Sequence, residues 1–163
     1  MENVNCISKI PLVTIRTKRE KTFTWGKDRV SGPEDAVKIG RKLTADSDRE
    51  VFGVVNLSTA NTINSINIVA IGTISSCLVH PREVFKSAIL SNAAAIILFH
   101  NHPSGSDSVS EDDLAITKKL VEAGNLLGIP VLDHVIIGDK KYCSFREKDL
   151  IGSKKNETYV HNL

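Results

Sequence analysis

Apolar positions along the chain fall into blocks of two kinds. Runs rich in Val, Ile, Leu and Phe and bounded by turn residues lie near 50–57 and 63–71, at 93–99 and at 131–137, and they predict strands. A shorter β-prone run follows around Tyr142 to Phe145. Between these blocks lie segments with helical spacing and helical punctuation. Gly32-Pro33 introduces 34–43, where Val37, Ile39 and Leu43 suit a short helix lying on a sheet. Pro81 opens a helix to about Asn92. The longest helix runs from 111 to about 127, with Leu114, Leu120, Val121 and Leu127 apolar; Gly128 caps it and Pro130 prevents its continuation. Helices alternating with strands predict an α/β domain, a mixed sheet covered by helices on both faces.

The remainder divides into two flanks. Residues 1–30 hold another β-prone stretch, Leu12-Val13-Thr14-Ile15, and are expected to form a strand and a basic segment packed on the core of 31–150. Residues 151–163, with Gly152-Ser153-Lys154-Lys155, read as a frayed tail. Seven of the 21 Lys and Arg residues lie in 1–30 against three acids, so this flank is basic and the rest is slightly acidic, for a net charge of +2. Such a cluster suits a nucleic-acid backbone, but solvated charges on a strand rim are the commoner explanation, and only Phe23 and Trp25 accompany it.

Composition narrows the class further. At 163 residues, 41% hydrophobic and 25% charged, the chain supports one globular domain with a substantial core. The stretch 51–81 carries no Asp, Glu, Lys or Arg, yet Asn, Ser, Thr and Gly interrupt it too often for a membrane span of roughly 18 apolar residues. The N-terminus lacks a signal-peptide pattern, so a soluble, cytoplasmic protein is expected. Cys6, Cys77 and Cys143 are widely spaced without C-x-x-C, which indicates neither a disulfide framework nor a cysteine metal site.

The chemistry concentrates in His100-Asn101-His102-Pro103-Ser104-Gly105-Ser106-Asp107-Ser108-Val109-Ser110-Glu111-Asp112-Asp113. The strand 93–99 runs directly into His100, so His100 and His102, two apart on extended backbone, project to one face. Pro103 to Ser106 forms a turn, after which the helix start returns Asp113 toward the histidines. Two imidazoles and a carboxylate are a catalytic zinc donor set, leaving the fourth position for water. Ser110-x-x-Asp113 is equally a capping-box pair.

His-x-His, seven residues, Ser-x-x-Asp resembles the JAMM motif of the MPN-type metalloproteases. With HNHPSG and the segment Leu132-Asp133-His134-Val135-Ile136-Ile137-Gly138, residues 31–150 resemble the RadC-like branch of that superfamily. Val109 departs from the proline usual before the motif serine, which places loop stiffness in question. The resemblance implies a three-layer α/β/α fold of JAB/MPN type, similar in outline to cytidine deaminase. It implies one zinc per chain on His100, His102 and Asp113, Ser110 assisting the oxyanion, and a glutamate at the start of the strand after the first helix as general base. Here that glutamate is Glu50, which by itself reads as a solvated strand end; Glu83, the rival, sits behind Pro81 as a first-turn helix residue. The implied reaction is metal-assisted hydrolysis of an amide in a protein or peptide conjugate, without a covalent intermediate.

Other readings remain beside it. His134 fits a partner to a metal ligand, or a core histidine bonded to backbone or to Asp133, the commoner case. His80 suits helix-entry chemistry. A DNA-repair accessory role goes with the RadC resemblance, although full-length members carry a helix-hairpin-helix segment for which the residues before the core leave no room. The letters HNH are contiguous here and scattered in HNH nucleases. No Pro-Cys-x-x-Cys follows the histidines as zinc deaminases require. Non-catalytic MPN scaffolds usually lose the ligands that this chain keeps.

Overall fold

In the computed structural model the apolar strand blocks pair side by side, and the helical segments between them cover the two faces of the sheet they form. Residues 11–22, 24–27, 29–72 and 78–151 are described. In order they form α1 (Pro33–Thr44), β1 (Val51–Leu57), β2 (Ile63–Ile71), α2 (Pro81–Leu90), β3 (Ala95–Asn101), α3 (Glu111–Leu127), β4 (Val131–Ile137) and β5 (Tyr142–Ser144). The five strands make one mixed sheet in the order β2-β1-β3-β4-β5. β3 and β4 are parallel, joined by α3 as crossover, and the other neighbours are antiparallel.

Alternation along the central strands divides the core in two. Val55, Leu57, Ile97, Phe99, Val135 and Ile137 meet α1 through Ala36, Val37 and Ile39, with Trp25 and Val30 against the same layer. On the opposite face Phe52, Val54, Ile96 and Leu98 meet Val84, Phe85 and Ala88 of α2 and Leu120 of α3. The fold is therefore a three-layer α/β/α sandwich, as the resemblance implied. Among the described residues no helix is long and apolar enough to cross a membrane.

Three boundaries differ from expectation. Leu12, Val13 and Ile15 lie in no strand and are exposed: β-propensity needs a paired, half-buried surface, and among the described residues no strand accepts this stretch. Residues of this flank that do pack are Trp25 and Val30, and Arg29 bridges to Thr62 beside β2. α2 stops at Leu90: Asn92 takes a left-handed φ of 50°, and the Ala93 amide donates to the Ala88 carbonyl. β3 accordingly begins at Ala95. It runs through His100 and Asn101, which pair with Ile136 and Ile137 of β4. Cys143 is a buried free thiol in the described residues; Cys6, Cys77, Phe23, His161 and the tail from 152 lie outside them.

Candidate metal centre

The register of the sheet assembles the site. Phe52 pairs with His100 across β1 and β3. Glu50, two residues before Phe52, and His102, two residues after His100, extend the same face. Asn101, between the two histidines, points to the β1 edge: its Oδ1 accepts from the Val51 amide at 2.9 Å and its Nδ2 donates to the Arg49 carbonyl at 3.1 Å. The backbone on both sides of Glu50 is thus held by the middle residue of His-Asn-His.

After His102 the chain turns through Gly105, whose φ of 76° suits glycine, and the Gly105 amide donates to the His102 carbonyl. The loop then brings the Ser106 carbonyl to 3.1 Å from His102 Nδ1. Since a carbonyl only accepts, His102 carries its proton on Nδ1 and its Nε2 is bare. Val109 packs against the cluster of Ile136, Cys143 and Phe145, so apolar contact tethers the loop entry in this chain.

Ser110 caps α3 with a full capping box. Its Oγ accepts from the Asp113 amide at 3.1 Å, and Asp113 Oδ2 accepts from the Ser110 amide at 2.8 Å and from its hydroxyl at 2.7 Å. The cap and the candidate ligand are one arrangement, because the bonds that start the helix also orient the carboxylate. Its other oxygen, Oδ1, lies 3.2 Å from His100 Nε2. Oδ2 lies 3.8 Å from His102 Nε2, and the two Nε2 atoms are 3.1 Å apart. Burial penalises the Asp113 charge, but the neighbouring His100 and the bonds from Ser110 hold this carboxyl well below the usual range.

These donors fit a metal ion. A tetrahedral zinc with bonds of about 2.0–2.1 Å sets its ligand atoms about 3.3 Å apart, and the observed separations of 3.1, 3.2 and 3.8 Å bracket that value. His100, His102 and Asp113 form a cluster able to hold an ion. They line an open cleft together with Glu50, Ser110, Phe52, Leu78, Val79 and Ile116. Half-burial in this cleft pushes Glu50 above the ordinary glutamate value, against the pull of His102 and His100. Glu83 does not line the cleft; it is in the first turn of α2, hydrogen-bonded to Lys86. His80 caps α2, its Nδ1 accepting from the Arg82 amide.

These observations meet a sequence comparison. A family model described as the RadC-like JAB domain matches residues 30–150. The chain belongs to that family. This RadC-like JAB domain is 45% identical over 134 residues to a UPF0758 protein of Moorella thermoacetica, covering 82% of the chain and 58% of the relative. It is 46% identical over 122 residues to one of Desulfitobacterium hafniense, covering 75% and 54%. A Methanosarcina mazei UPF0758 protein is 42% identical over 145 residues, covering 88% and 63%. The chain thus spans a little over half the length of these relatives.

Three further residues support the centre: Asn101 and Thr117, which the sequence did not single out, and His134, for which a place beside a metal ligand was the less common of two readings. Asn101 has just been described. His134 is fully buried, and its ring bonds neither backbone nor Asp133: Nε2 lies 2.8 Å from His100 Nδ1 and Nδ1 lies 2.6 Å from Thr117 Oγ1. Asp133 instead binds the His134 and Arg146 amides and the Ser144 hydroxyl. Burial keeps the His134 pKa well below that of a free imidazole, and the nearby His100 adds to the effect. Thr117 carried one signal, its position four residues after Asp113 on the same helix face.

Proposed function

We propose that this chain is a zinc-dependent hydrolase of amide bonds, a metallopeptidase or isopeptidase whose substrate is a protein or peptide conjugate. One observation carries the reading: the donor atoms of His100, His102 and Asp113 converge at zinc-like spacing in an open cleft that Glu50 and Ser110 also line. Zinc, when bound, supplies Lewis acidity toward a carbonyl and makes water acidic near neutral pH. Everything else falls to the chain. Glu50, lining the cleft beside the donors, takes a proton from the attacking water and returns it to the leaving amine. Ser110 holds its hydroxyl proton against Asp113 Oδ2; turning it toward the substrate oxygen supplies a hydrogen bond where negative charge develops. Phe52, Leu78, Val79 and Ile116 give the cleft an apolar wall that favours an apolar substrate side chain next to the bond cut.

Elemental analysis of protein purified without added metal tests this reading. The expected result is stoichiometric zinc, removed by a chelator and absent from His102→Ala, with the thermal midpoint of that variant close to that of the metal-free wild type, since His102 lies beyond the end of β3. A wild-type protein that takes up no zinc, or a His102→Ala variant that retains it, overturns the assignment.

A further inference from the structure

Thr117 and His134 connect two of the three ligand residues through a continuous run of hydrogen bonds, and the proton on each can be placed. This inference rests on His100, His102 and Asp113 being the metal ligands. Thr117 Oγ1 lies 2.5 Å from the backbone carbonyl of Asp113, one helical turn earlier. The carbonyl has no proton to give, so this contact takes the single hydroxyl proton of Thr117. Toward His134 Nδ1, at 2.6 Å, the same oxygen can only accept. His134 therefore carries its proton on Nδ1. Its ring is stacked on Phe145 and tilted against Phe52, fully buried among aromatic neighbours that favour the uncharged form.

A neutral imidazole has one N–H, so His134 Nε2 is a bare acceptor, and His100 Nδ1 at 2.8 Å must be the donor. That leaves His100 Nε2 with a lone pair directed at Asp113 and His102. His102 reaches the same state more simply, through the Ser106 carbonyl. A carbonyl can fill that role alone because it never donates. An imidazole can sit in either tautomer, and so needs something behind it.

We propose that Thr117 and His134 are positioning residues that set the tautomer of His100, with the Asp113 backbone carbonyl as the fixed end of the relay. The helix turn that carries one ligand thereby dictates which nitrogen of another ligand is free.

Nitrogen-15 spectra of the histidine rings, recorded on metal-free protein at a pH above the imidazole range, read the tautomers directly. Zinc affinity by chelator competition reads their consequence. In the wild type, His134 and His100 should both carry the proton on Nδ1. Thr117→Val keeps the shape and removes the hydroxyl; the His134 proton should move to Nε2, His100 should become Nε2-protonated, and zinc affinity should fall roughly 10–100-fold. Thr117→Ser should restore both tautomers and the affinity. A merely structural threonine would lower the melting temperature of Thr117→Val and leave tautomers and affinity unchanged, which overturns the proposal. Should Thr117→Val fail to fold, the wild-type spectrum decides: a His100 proton on Nε2 overturns the relay. The stated tautomers in a wild type that takes up no zinc support the relay and overturn the metal assignment instead.

Discussion

Phe99 and His100 are neighbours in β3, both buried, and face opposite sides of one sheet. Their surroundings differ in kind. Phe99 lies over Gly53 and Gly40: a Cβ on Gly53 would stand 2.1 Å from its Cζ, and one on Gly40 3.1 Å from its Cδ2. Shape alone defines that pocket. His100 stacks on Phe52, but its two nitrogens are claimed by His134 on one side and by Asp113 and His102 on the other. Direction defines that environment. Two successive residues of one strand thus meet unrelated demands, because alternation gives each its own layer. The α1 face is packed tightly around Phe99, whereas the α2 and α3 face opens into the cleft that holds the donors.

If this contrast is right, damage to one face should leave the function of the other untouched. The largest effect is expected at Glu50, on the chemical face. Glu50→Gln should keep zinc and fold, yet lose roughly 10²–10⁴ in turnover of an amide substrate found by peptide profiling; full activity in this variant would remove Glu50 from the mechanism. Phe99→Ala probes the packing face, and should cost about 3–5 kcal/mol in chemical denaturation while zinc content per folded molecule is unchanged. Loss of zinc from still-folded Phe99→Ala would show that the layers are not independent. Ser110→Ala falls where chemistry and folding overlap: about 1 kcal/mol of stability from the lost cap, and separately a roughly 10²-fold slower turnover. Unchanged turnover with reduced stability would make Ser110 a cap and nothing more.

The elements themselves were largely legible from local pattern. Pro81 and Gly32-Pro33 at helix starts, Ser110 at the cap of α3, left-handed Gly128 after it and the apolar strand blocks all act over a few residues, so a linear reading recovers them. Leu12 to Ile15 shows the limit: it has strand composition, but among the described residues no sheet edge takes it up.

By itself, the sequence determined which donors stand within one strand and one helix turn. His100 and His102 share a face because strands have period two, and Asp113 is oriented because a capping box spans three residues. Glu50 was reachable only through family resemblance, since its place opposite the histidines depends on the register that pairs Phe52 with His100. Asn101, Thr117 and His134 were decided by tertiary structure alone. Their partners lie 50, 17 and 34 residues away, and no local pattern encodes which side chain a parallel strand or a crossover helix will set against a ring nitrogen. A hydrogen bond is specified to a fraction of an ångström and by direction, and only the packed sheet fixes positions that closely.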